Sequence, residues 1–348
     1  KAKGELETTC IASSLKLVGG PDKFVIYKDF NNGLTYLLPS DCIINNGFKV
    51  TLNGFETKIY WNIQEITDID GTYYALFDKL KGKGVEDLDT EIKSLRLQPI
   101  FNRLGCLSTP EFIKSLSDIM KGKCDTKEVR KVILEISQCY ATLSYAMNEV
   151  TDYTRNQIGD IKIIEPTELL AEFSKFTEIF KESNLLKNTA LVMDELDIIV
   201  SSIMFLIPFA RKGFTIKQLN EMEETLLVPY FYAIQLKDRG ITGGNAVHTI
   251  QGASIVLGSH VLIEDEKPES FNKIFENQEI RDYILCNEYK GVTYYKKESM
   301  QELIILTALS LKLFGNKKID IDKYVSTLLK KETISEYQLD NFLKYNSI

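Results

Sequence analysis

The chain has 348 residues, 44% of them hydrophobic and 26% charged, with 42 Lys and Arg against 49 Asp and Glu. That length allows one large domain or two ordinary ones, and the mixture is that of a soluble globular chain. A net charge of −7 without any dense basic block argues against a nucleic-acid platform.

Residues 6–66 carry strand signals. LETTCIASSLKLV, KFVIYKDF, LTYLLPSDCII and FKVTLNGFETKIYWNIQEI are β-branched or aromatic runs, separated by the turn sequences GGPD, NNG and NNG. Lys58, Tyr60, Asn62 and Gln64 alternate with Ile59, Trp61, Ile63 and Glu65, a period of two with one face more apolar. The expectation is an antiparallel sheet or small sandwich of four or more strands, docked on a larger body because alone it is marginal.

From Gly71 the period becomes helical. Tyr73, Leu76, Phe77 and Leu80 share one face, and the glycines at 82 and 84 stop the helix. A second helix follows Asp87 and runs toward Pro99. Residues 125–150 repeat apolar side chains every three or four positions, from Val129 to Val150, as one buried helical face does. Further helices are expected at 166–183, 187–207, 215–227, 229–238, 246–262, 278–287, 297–314, 320–331 and 335–345. The segment from Met300 to Phe314 is apolar nearly all round and belongs inside a bundle. The fold class is therefore α+β: a small N-terminal antiparallel sheet or sandwich at 1–70, then a large all-α domain at 71–348.

Little of the chain reads as chemistry. His248 and His260, twelve residues apart on one helix, lie more than three turns apart and share no metal through it. Both read as structural. Asp194, Glu195 and Asp197 precede the apolar run, and Asp194 and Asp197 share a helix face. They read as a solvated face, since acid–base work needs a second element across a cleft. The glycine-rich loop DRGITGGNAVH, 238–248, leads into a helix but lacks the Lys-Ser/Thr of a P-loop. It reads as a chain reversal between two helices. Tyr289, Tyr294 and Tyr295 cluster in NEYKGVTYYKKE and are the candidate carbohydrate contacts, because exposed rings stack on sugars. The sequence calls for no cofactor and no metal.

The six cysteines, at 10, 42, 106, 124, 139 and 286, form no CxxC pair and read as reduced, partly buried thiols. That usage points to a cytoplasmic setting. The run from Ile198 to Ala210 is shorter than the ~20 residues a membrane span needs and contains Pro208. The chain opens at Lys1 without a Met or a leader, and reads as a fragment or processed product.

Two stretches carry a resemblance. The first runs from Leu52-Asn53-Gly54-Phe55 through Ile63-Gln64-Glu65-Ile66-Thr67-Asp68 to Gly71-Thr72-Tyr73. It continues with Leu80-Lys81-Gly82-Lys83-Gly84-Val85 and ends near Leu97-Gln98-Pro99. The second is Asn287-Glu288-Tyr289-Lys290-Gly291-Val292-Thr293-Tyr294-Tyr295-Lys296-Lys297-Glu298. Together they resemble the C-terminal region of bacterial α-amylase-superfamily (glycoside hydrolase family 13-like) proteins, after the catalytic barrel. The resemblance implies a partner, the N-terminal (β/α)₈ barrel of the same polypeptide, and α-glucan as the ligand of the whole. Neither nucleic acid nor membrane is expected. No catalytic residue carries over, because no match to the nucleophile-strand or Asn-His-Asp motifs exists here. The reading is a non-catalytic accessory region that supports the barrel, assembly or glycan contact. Two alternatives are a helical interaction or oligomerisation module, and an independent α-helical glycosidase using Asp194 or Glu195.

Overall fold

A computed structural model describes residues 9–120, 123, 127, 128, 131, 132, 134, 138, 166–183, 195–211, 213–240, 243–263, 265, 267–315 and 319–345. The chain is α+β, with an N-terminal antiparallel sheet followed by helices. It forms two compact units, Lys1–Gln98 and Pro99–Ile348.

In the first unit, β1 (Lys23–Asp29) lies between β2 (Thr35–Pro39) and β3 (Tyr60–Thr67), antiparallel to both. The centre strand is apolar on both faces. Phe24 packs with Leu37, Leu76, Leu80 and Leu88, which brings α3 (Thr72–Leu80) and α4 (Leu88–Arg96) onto one side of the sheet. Val25 and Tyr27 pack on the other side with Ile43 of α2 (Ser40–Asn46), Phe48 and Tyr60. The two helices after residue 70 thus complete the core of the sheet unit, and the compact division falls at Gln98/Pro99.

Among the described residues the sheet has three strands, where four or more were expected. The segment around Cys10 forms a helical turn, α1 (Ile11–Ser14), because its short polar side chains bond the local backbone. Ser14 Oγ donates to the Cys10 carbonyl at 3.4 Å, and Ser13 N–H donates to Cys10 Sγ at 3.4 Å. At 34–44 the strand stops at Pro39, and Ser40–Asn46 turns into α2. The strict alternation expected across Ile59–Glu65 is broken by a bulge. Ile26 pairs with Gln64 but Lys28 pairs with Trp61, so β3 carries one extra residue, and Asn62 lies there at φ +50°. The bulge sends Tyr60 and Ile63 to the Val25–Tyr27 face and leaves Trp61 exposed.

The second unit is helical: α5 (Gln98–Ser108), α6 (Pro110–Met120), α7 (Pro166–Glu182), α8 (Leu196–Ala210), α9 (Ile216–Thr225), α10 (Val228–Gln235), α11 (Gly243–Gly258), α12 (Pro268–Asn272), α13 (Gln278–Tyr283), α14 (Lys297–Phe314), α15 (Ile321–Ile334) and α16 (Leu339–Lys344). The helix expected at 125–150 lies largely outside the described residues, as do 187–194. α11 is the hub, packed against α8, α9, α10 and α14. Small residues let it come close. A Cβ on Gly252 would meet Ile199 Cδ1 at 2.9 Å, and one on Gly258 would meet Ile216 Cγ1 at 2.5 Å. α14 is buried on nearly all sides, as its composition requires. A hairpin, β4 (Asn287–Tyr289) and β5 (Val292–Tyr294), precedes it; the helix expected at 278–287 ends at Tyr283 instead. Among the described residues, no helix is long and apolar enough to cross a membrane.

Candidate functional site

Several polar side chains of the helical unit line a pocket of about 470 Å³ at the start of α11. Glu195 enters from the turn before α8, where its carbonyl accepts the Ile198 and Ile199 N–H groups, each at 3.0 Å. Gly244, Asn245 and His248 come from the first turns of α11. Glu302 comes from α14, and Lys296 from the residue that caps it. Lys296 is fixed because its N–H donates to the Ile284 carbonyl at 2.9 Å. Leu285 stands at the rim with φ +53°.

His248 is held on three sides. Its ring stacks on Tyr283 with centroids 4.1 Å apart, and Nε2 lies 3.2 Å from the Tyr283 carbonyl and 3.3 Å from Ser299 Oγ. A carbonyl only accepts, so this network assigns the proton to Nε2 and leaves Nδ1 as the lone pair. Nδ1 faces Glu302 Oε2 at 3.8 Å. Burial pushes the imidazole below its ordinary value, partly offset by the Tyr283 carbonyl, so the ring is neutral near pH 7. Burial and then the nearby Glu195 charge push the Glu302 carboxyl above the usual carboxylate range, while Lys296 pulls it back. Thr249 Oγ1 donates to Glu195, and Tyr283 OH donates to Glu302 at 3.4 Å. Two carboxylates within electrostatic reach of each other, beside one lysine, make a site in which charge of both signs is held ready.

The residues singled out in the sequence take different places. Glu195 and His248 meet in this pocket; Asp194 lies outside the described residues. Asp197 is buried and its Oδ1 accepts its neighbour's Ile198 N–H at 2.9 Å, so it is no solvated face. His260 sits apart, tilted against Phe314 with centroids 5.5 Å apart. In the glycine loop, Gly240 ends a short 3₁₀ turn in the left-handed region and α11 starts at Gly243.

The tyrosine cluster splits. Tyr289 is exposed on β4 with Lys290 Nζ 5.2 Å above its ring, and Tyr294 is half-buried on β5. Tyr295 is buried, its hydroxyl bonded to Ser335 Oγ and its ring edge-on to Phe342. Its ring face therefore belongs to the core, and of the three only Tyr289 offers an open face. Lys296 and Glu302 were not foreseen, since they stand at the head of a helix dominated by apolar residues. Among the described residues, no group of three or more His, Cys, Asp or Glu side chains could hold a metal ion. Cys10, Cys42 and Cys286 are free thiols, the first two exposed.

No family model, curated protein or solved structure matches the chain.

Proposed function

We propose that this chain is a non-catalytic accessory region of an α-glucan-active protein, similar to the region that follows the barrel in the α-amylase superfamily. What supports it is the work done by the residues that carry the resemblance. Lys81 and Gly82 both lie in the left-handed region, at φ +49° and +80°. Gly84 passes so close to Tyr36 that a Cβ would stand 2.6 Å from Cζ. Val85 then exchanges two backbone hydrogen bonds with Thr35, at 2.7 and 2.9 Å. The stretch Leu80–Val85 thus ties the helices to β2. Gly71 and Gly291 likewise take φ +79° and +78°, at the start of α3 and in the β4–β5 turn. These are scaffold positions, which suits an accessory region better than a reaction centre.

The edge strand adds a surface for the partner. Ile59, Trp61, Phe30 and Phe55 are exposed, and Phe30 N–H donates to the Ile59 carbonyl at 2.8 Å. Apolar side chains beside β3, which has no second strand neighbour among the described residues, suit the barrel of the same polypeptide. By contrast α14, the helix whose apolar surface favoured an interaction module, spends that surface inside its own unit.

The 348-residue chain is expected to release no reducing sugar from starch or maltodextrins. Joined to the barrel-coding sequence upstream, it is expected to raise the barrel's melting temperature, and Trp61→Ser is expected to diminish that gain. Robust hydrolysis by the chain alone, or an upstream sequence with no (β/α)₈ pattern, overturns the reading.

A further inference from the structure

The pocket at the start of α11 has features that the accessory role does not use. Glu195 comes from the turn before α8 and Glu302 from α14, and among the described residues no lysine or arginine forms an ion pair with either. Both line the same pocket, where like charges in a partly desolvated site repel and Lys296 offsets that repulsion only in part. Lys296 sits at the same pocket with Asn245 and the first turn of α11. Backbone N–H groups and the positive end of the helix dipole favour an anionic group there. The carboxylates, His248 and Lys296 thus ask for a ligand with charges of both signs.

We propose that this pocket binds a small zwitterion with the chemistry of a free α-amino acid. Its ammonium sits against Glu195 and Glu302, and its carboxylate against Lys296, Asn245 and the first turn of α11. Both ligand charges are then paired, which is the condition for placing charge in a site drier than water. A metal ion does not fit the same observations, since it needs three or more ligands gathered around one point and the described residues offer no such group. A neutral sugar brings no cation to the carboxylate pair and no anion to Lys296. The volume, about 470 Å³, exceeds what an amino-acid backbone needs and leaves space for a side chain toward Leu285. His248, neutral and fixed by Tyr283 and Ser299, lines the pocket with its Nδ1 3.8 Å from Glu302 Oε2. The site lies wholly in the helical unit, so it stands whether or not the sheet unit serves an α-glucan enzyme.

The test is a thermal-shift screen of the full 348-residue chain against each of the twenty L-amino acids at about 10 mM, with maltotriose as the neutral arm, followed by calorimetry on the best binder. At least one amino acid is expected to raise the melting temperature by about 2 °C or more, and maltotriose is expected not to. The binder's decarboxylated amine and its deaminated acid should each bind at least roughly tenfold more weakly. Glu302→Gln and Lys296→Met should weaken the amino acid to a similar degree while far-UV circular dichroism stays unchanged. Lys296→Met should spare the amine, which has no carboxylate to lose. Should either variant fail to fold, the amine and acid comparison on the unaltered chain decides alone. The proposal is overturned if no amino acid shifts the melting temperature, if maltotriose or the bare amine binds as well as the amino acid, or if both folded variants keep full affinity.

Discussion

Lys331 is a lysine placed where lysines are rarely found. It is 1% exposed, its ammonium donates to Asn272 Oδ1 at 2.8 Å, and it lies 4.6 Å from the centre of the Phe342 ring. One hydrogen bond and one ring face compensate a buried charge incompletely, and burial lowers its pKa to about 8. The consequence has a sign. Between about pH 8 and the ordinary lysine value of ~10.4, the unfolded chain holds a proton that the folded chain has released. Stability attributable to this group therefore rises with pH through that window, and the penalty is fully present below it. Lys331→Met, which keeps the length and removes the charge, is expected to gain on the unaltered protein most below pH 8, with the difference shrinking toward pH 10. Urea denaturation at pH 7, 8, 9 and 10 measures it; a gap that stays constant across the series refutes the buried-charge account. The opposing high-pH trend from Tyr27 and Tyr232, whose hydroxyls burial pushes up to about 12, is common to both proteins and cancels in the difference.

At the scale of elements, the α3–α4 turn shows how a local sequence pattern becomes a tertiary contact. Gly84→Ala puts a methyl group 2.6 Å from Tyr36 Cζ and 2.9 Å from Leu34 Cβ. Overpacking of this kind costs about 1–3 kcal/mol, and the strain falls on the Val85–Thr35 bridge that anchors both helices to the sheet. Gly54 belongs to the same resembling stretch, but a methyl group there would meet no atom within 4 Å, and its φ is not positive. Gly54→Ala is expected to be neutral or to gain up to about 1 kcal/mol through the unfolded chain. Chemical denaturation of the two variants side by side separates packing from backbone freedom. The sequence made the turn legible, because paired glycines after an amphipathic helix have few other uses. It did not reveal that Tyr36 was the reason for Gly84. The β3 bulge shows a complementary limit: alternation implies a straight strand, and one inserted residue at Asn62 breaks that alternation and leaves Trp61 exposed. The pocket was legible only in part. His248 stood out as one of two histidines, at the end of the glycine loop, and Glu195 as part of the acidic group before the apolar run, but Glu302 reaches them through the crossing of α11 and α14. That crossing depends on Gly252 meeting Ile199 and Leu306, which no local period encodes.

At the scale of the whole molecule, the two units have separate cores and separate spectroscopic reporters. The one tryptophan, Trp61, is on β3 in the sheet unit, half-exposed with Lys28 Nζ 5.9 Å from its ring. Far-UV circular dichroism is dominated by the helices after Pro99. The sheet unit is bounded by two small clusters around Phe24 and Val25 and is the smaller body, so it buries less of the surface its unfolded chain exposes. The helical unit is built on α11 and α14, with side chains such as Ile250, Val256, Leu303 and Leu306 wholly excluded from water. Cooperative all-or-none unfolding holds for single bodies and breaks down where cores are independent. Urea denaturation followed by Trp61 emission is therefore expected to reach its midpoint before the circular dichroism transition. A substitution inside the sheet unit, such as Phe24→Ala, should advance the first transition and leave the second in place. Coincident transitions that move together in Phe24→Ala would mean that the units share their stability across residues 97–99. In that case the sheet is held by the helices as strongly as by its own core, and its service to a barrel could not be separated from the fold of the helical unit.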